Sequence, residues 1–293
     1  MKRPQSSSSL WQVGTAALVL GSMAITYFLS GPHNRKSRNE IFEKSQEEID
    51  RNLTTPANAT FGLVWPIIYS GTAALAIHQA LPSQNGNPRY EQARPWLLVC
   101  YGLNALFGYF FSSDSKVGRV GAAITTLATL PPALLLHHSL EIGQTEVPEP
   151  ENTLRKSISL YNGWLTAASV VSIGNLLIQA GVRLSPTHSV RVASAVLMTT
   201  GGLGLAVAQR LNDPFYLAPF VAAFGGIAAK QAGKNNEVAG LATAWAAALT
   251  LVIARSMTQS GTETFSLTEE SESPAEVKPE AMAQSGSAER SGA

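Results

Sequence analysis

The side chains of this chain that can do chemistry are few, and most lie inside long apolar runs. His78 and the adjacent His137 and His138 are the ligand-type residues. Imidazole nitrogens can hold haem iron or another metal. Nothing in the sequence fixes the distance between these histidines, so no metal site is predicted, and histidines are also at ease at a membrane interface. The single cysteine, Cys100, sits in an apolar run without the Cys/His company that zinc needs, and reads as a small buried hydrophobe. The apolar runs hold no nucleophile–base constellation and no carboxylate pair, so no catalytic residue is predicted and an enzyme is not expected. What remains is a set of amides, Asn104, Asn162 and Asn175, among deep aromatic residues, Trp65, Tyr69, Phe107, Tyr161 and Trp164. An aromatic wall with one or two amides suits a flat apolar ligand. The competing reading of the same residues is packing.

These residues are carried by eight apolar runs, near 11–30, 59–81, 95–113, 117–139, 154–181, 188–208, 214–231 and 237–256. A membrane-spanning helix needs about 20 mostly apolar residues. The runs are twice the length of a barrel strand and do not alternate with period two, so helices are predicted. Charged residues are 14% of the chain and net charge is +1, which gives nucleic acid no basic patch to bind. Lys2 and Arg3 ahead of the first run also suit a signal peptide, but Ser30-Gly31-Pro32 lacks a clear cleavage pattern, so retention is predicted. Pro131-Pro132 should kink the fourth helix. Gly225/Ala229 and Gly240/Ala244 are small pairs at spacing four, which let helices approach and leave a homodimer open. The Gly201-Gly202-Leu203-Gly204 cluster has no preceding strand and is not a dinucleotide loop.

The fold class predicted is all-α: a polytopic transmembrane bundle of about eight spans. Residues 1–32 form the first span, 33–58 a polar loop or lid, 59–181 helices 2–5, 188–256 additional spans, and 257–293 a disordered acidic tail. Within 33–55, Glu40/Lys44 and Glu47/Arg51 are i,i+4 pairs that suggest a short surface helix. Residues 141–152 are an exposed acidic turn. Arg35, Lys36 and Arg38 put the 33–55 loop on the cytoplasmic side, and Lys2, Arg3, Arg89 and Arg94 pull the other way.

Alternating helix direction brings the first half of helix 2 and the second half of helix 3 to similar depth. The segment that enters helix 2, Pro56-Ala57-Asn58-Ala59-Thr60-Phe61-Gly62-Leu63-Val64-Trp65-Pro66-Ile67-Ile68-Tyr69, resembles the F-G-x-x-W-x-x-x-Y pattern of the tryptophan-rich sensory protein (TspO/MBR, translocator) family. Asn104-Ala105-Leu106-Phe107-Gly108-Tyr109-Phe110-Phe111 is similar to its N-x-x-W-x-x-x-F segment, with Phe107 in place of tryptophan. Tyr161-Asn162-Gly163-Trp164-Leu165-Thr166-Ala167-Ala168 is similar to its Y-x-x-W-x-x-x-A segment. Ser172 stands where the family has asparagine, and Leu160 where it has proline. The resemblance covers roughly 11–180 and implies a five-helix TspO-like core, extended here by about three C-terminal helices. It implies that Phe61, Trp65, Tyr69, Asn104, Phe107, Tyr161 and Trp164 line a site for a porphyrin or other tetrapyrrole, with no cofactor required. The expected partners are the bilayer of a bacterial inner membrane or an organelle and a hydrophobic small molecule. The role implied is sensor, regulator or carrier. Porphyrin degradation rests on the resemblance alone, and a permease or an assembly scaffold with a repurposed pocket is the alternative.

Overall fold

The computed structural model describes residues 5–30, 49–113 and 115–271, with side chains over 10–29, 49–113 and 115–258. Residues 31–48, with Glu40, Lys44 and Glu47 of the expected surface helix, and the tail beyond residue 271 therefore lie outside the described residues. The chain divides into residues 1–255 and a second unit from residue 256.

Among the described residues eight α-helices form, one at each of the eight apolar runs: α1 Gln5–Ser30, α2 Asn58–Gln79, α3 Pro88–Phe111, α4 Lys116–Ser139, α5 Glu151–Gln179, α6 Pro186–Leu211, α7 Ala218–Gln231 and α8 Asn236–Ser271. Short 3-10 turns cover Pro82–Gln84 and Pro214–Leu217. The ends follow the local chemistry. Asn87 and Ser115 accept backbone N–H bonds from Arg89 and Gly118 and so cap α3 and α4. Pro88 and Pro186 occupy first helical positions, where a missing N–H costs nothing. Asn212, left-handed at φ 50°, ends α6.

Five of these helices among the described residues, α1, α2, α4, α6 and α8, are long and apolar enough to cross a membrane. α3 and α5 carry charged first turns, with Arg89, Glu91, Arg94, Glu151 and Arg155. α7 has 14 residues, about 21 Å at helical rise, and is shorter than a bilayer core. Many large apolar side chains point outward, among them Leu63, Ile67, Tyr109, Ile124 and Leu251. In water such a surface would be a liability; in lipid it is the solvated face. This is an integral membrane protein.

Neighbour relations place the first five helices in a closed ring: α1 packs on α2, α2 on α5, α5 on α4, α4 on α3, and α3 back on α1. The Pro214–Leu217 turn and α7 lie against α5, and α7 also meets α2. Close approaches are made by glycine. A Cβ on Gly163 of α5 would strike the Tyr216 carbonyl, and one on Gly108 of α3 would lie 2.8 Å from Thr26 Oγ1 of α1.

Candidate functional site

Phe61, Trp65 and Tyr69 recur every fourth residue and so form one stripe along α2. Opposite them, α5 presents Tyr161 and Trp164. Phe61 meets Trp164 edge-on at 5.3 Å between ring centroids, and Trp65 contacts Tyr69, Tyr161 and Trp164 at 4.9, 6.4 and 6.1 Å. Those separations are those of favourable aromatic pairs. Tyr161 and Trp164 are buried, while Phe61, Trp65 and Tyr69 are half-buried and form the accessible side of the cluster.

One amide fixes the third and fourth walls. Tyr69 donates its hydroxyl to Asn104 Oδ1 at 3.0 Å, and Asn104 Nδ2 donates to Thr26 Oγ1 at 3.3 Å. This chain of bonds ties α2, α3 and α1 together at the level of the rings. With Asn104 buried, both ends of its amide need partners, since an unpaired polar group away from water is costly. Tyr101, three residues before Asn104 on α3, stacks on Tyr161 at 5.8 Å and is fully buried. It belongs to the cluster, although it lies outside the α3 motif that begins at Asn104. Phe107 does not join the other rings: it stacks on Phe111 at 5.3 Å, half-buried on α3. Six of the seven predicted residues are thus linked by ring contacts or hydrogen bonds, and Phe107 stands one helical turn from Asn104.

The segment before α2 is held in place from two sides. Asn52 Nδ2 donates to Asn175 Oδ1 at 2.9 Å and to the Val171 carbonyl at 3.1 Å, both on α5. Gln231 of α7 donates to the Leu53 carbonyl at 3.1 Å, Ala57 N–H to the Gly226 carbonyl at 3.1 Å, and Lys230 pairs with Asp50 at 2.7 Å.

Polar groups also gather at the opposite end. Arg89 binds Glu151 at 2.7 Å through Nε, and Asn87 adds a bond to the same carboxylate at 3.2 Å. Burial works to raise the Glu151 carboxyl; the hydrogen bond and charge of Arg89, with Asn87 and Arg155, outweigh it and hold the group below the usual carboxylate range. Arg155, buried, donates to the Leu140, Glu141 and Thr145 carbonyls and so pins the acidic turn. The histidines have separate partners: His78 Nδ1 lies 2.7 Å from the Tyr90 hydroxyl, and His137 Nε2 lies 2.9 Å from Asp213 Oδ2. No group of three or more metal-ligating side chains occurs among the described residues. The buried Asp213 was not foreseen, because it is a loop residue 76 positions away from its histidine.

Ring, stripe and amide bridge together define a membrane helix bundle whose first five helices enclose an aromatic cluster. The chain belongs to the TSPO-like protein family, whose description matches residues 12–255. The match runs past the 11–180 of the sequence resemblance and takes in α6, α7 and the first part of α8, so these helices lie within the family's own extent. No curated protein and no solved structure matches the chain.

Proposed function

We propose that this TspO-type membrane protein binds a flat hydrophobic ligand of the tetrapyrrole class at the aromatic cluster, and acts as a sensor, regulator or carrier rather than as a catalyst. The observation that carries the reading is the α2 stripe: Phe61, Trp65 and Tyr69 are half-buried and in ring contact with buried Tyr161 and Trp164 of α5. A macrocycle that enters from the accessible side stacks on Trp65 and Phe61, against a floor already built by Trp164. Tyr69 and Asn104 supply the polar contacts at its edge. Family membership supports the same reading.

The test is titration of the detergent-purified protein with protoporphyrin IX, followed by tryptophan quenching. Loss of one aromatic stacking partner costs about 1 kcal/mol beyond its area, so Trp65→Ala and Trp164→Ala are each expected to weaken saturable binding about tenfold once buried area is included. Equal affinity in both variants, with helical content intact, excludes the site.

A further inference from the structure

A buried strip on α5 has no part in the aromatic site. Arg155, Ser159, Asn162, Thr166 and Ser169 follow one another at spacings of four, three, four and three. That is the repeat that a packing helix fills with apolar side chains at its seam. Here each seam residue is polar, and all five are buried. Ser172 is buried one turn further on, and Asn175, bonded to Asn52, closes the series at the far end. From Arg155 to Asn175 the rise is about 30 Å, the thickness of a bilayer's hydrocarbon core.

The strip lies between α4 and the Pro214–Leu217 turn. Arg155 binds the Leu140 carbonyl that ends α4, and Tyr216 donates its hydroxyl to Thr166 at 2.7 Å. His137 of α4 and Asp213 span the same two walls directly, with exposures of 0% and 4%. Five buried polar atoms here have no protein partner: Arg155 Nε, Ser159 Oγ, Asn162 Oδ1, Ser169 Oγ and His137 Nδ1. Polar side chains at membrane depth are costly, and they mark pathways more often than packing. Tight packing alone would be met by Ala or Gly at these positions.

We infer that the α5 strip, with His137 and Asp213 at one end and Asn175 and Asn52 at the other, is a route by which protons cross the protein. The side-chain chemistry selects the proton over other ions. Metal cations need several oxygens around one point, often carboxylates, and no carboxylate lies along the middle of the strip. Water bridging the unpartnered Oγ and Oδ1 atoms supplies the hops between them: each hydroxyl takes a proton from one water and passes its own to the next, with no net change. At the His137 end, the tautomer with its proton on Nε2 donates to Asp213 Oδ2, 2.9 Å away, and leaves Nδ1 as an acceptor. A proton taken at Nδ1 is matched by one released from Nε2 to Asp213, next to the exposed Asn212 loop. Charge is conserved at each transfer. The route is independent of the tetrapyrrole reading, because Trp164 and Tyr161 face α2 and α3 on another side of α5.

The test uses the full chain in liposomes loaded with a pH-sensitive dye, with proton entry driven by a potassium diffusion potential through valinomycin. The wild-type chain is expected to admit protons at least tenfold faster than empty liposomes. Ser159→Ala/Ser169→Ala keeps the small side chains that packing needs and removes two hydroxyls; it should return the rate to near the empty-vesicle value. Asn162→Leu, similar in size, should do the same. Trp65→Ala should keep the full rate while binding protoporphyrin about tenfold more weakly. A wild-type rate equal to that of empty liposomes overturns the route, as does an undiminished rate in the serine double variant.

Discussion

Gly163 on α5 leaves no room for a side chain. The Tyr216 carbonyl sits where its Cβ would be, and carbonyl and helix are both backbone, so neither can swing aside. Overpacking costs typically about 1–3 kcal/mol, and Gly163→Ala belongs at the upper end. A thermal melt in detergent should show a clear loss, whereas Gly102→Ala, with nothing within 4 Å, should show none. Equal melts would mean that α5 and the 3-10 turn do not approach as described. Glu151 offers a pH test. Its carboxyl is held below its free value of 4.5, chiefly by Arg89 acting against burial. A depressed carboxylate contributes stability that is fully present above the unfolded pKa and is lost as pH falls through the folded one. The wild-type melting temperature should therefore drop more steeply than that of Glu151→Gln between about pH 5 and about pH 3. Parallel profiles would remove Glu151 from the acid response.

At the scale of elements, α7 is too short to span a bilayer and instead holds the chain that leads into α2. Gln231, Lys230 and the Gly226 carbonyl fasten Leu53, Asp50 and Ala57, and α2 begins one residue later with the Phe61 stripe. One such neutral hydrogen bond is worth about 1 kcal/mol net. Gln231→Leu should thus raise amide exchange over residues 49–57 about fivefold, with exchange in α3 and α4 unchanged; uniform exchange would show the fastening to be elsewhere. The elements themselves were legible in the sequence because lipid demands long apolar runs: each run became a helix, though α3 begins seven residues ahead of its run and α8 continues to Ser271, beyond the run that ends near 256. The Phe61, Trp65, Tyr69 and Trp164 cluster was legible too, since fixed spacing and alternating direction set which depths coincide. The fastening of Leu53 to Gln231, 178 residues apart, and the pairing of His137 with Asp213 were not. Neither has a local pattern: each depends on how α6 and α7 fold back on the ring. Phe107 is half-buried one turn beyond Asn104, and its ring stacks along α3 on Phe111 rather than on the α2 and α5 rings, a side-chain direction that motif position does not give.

For the whole molecule, the question is whether α6–α8 are an addition to a self-sufficient five-helix ring. The ring closes without them, and the three sequence motifs all lie within it. The packing says otherwise. Tyr216, Leu217, Phe220, Phe224 and Ile227 are buried in the same core as the ring residues, and they cover the side of α5 that carries Asn162, Thr166 and Gly163. Without that cover, the strip of Ser159, Asn162, Thr166 and Ser169 would face lipid, which offers no hydrogen bonds. Exposing even one such amide or hydroxyl to hydrocarbon costs on the order of several kcal/mol. α2 would also lose the Gly226 carbonyl that receives Ala57 N–H at its start. A chain ending at Leu184 should therefore fail to give a monodisperse peak in mild detergent under conditions where the full chain does, and adding residues 186–255 as a separate peptide during reconstitution should recover it. Should residues 1–184 alone prove monodisperse and bind protoporphyrin as the full chain does, α6–α8 would be an appended unit, and the family match to residue 255 would reflect shared history rather than shared stability.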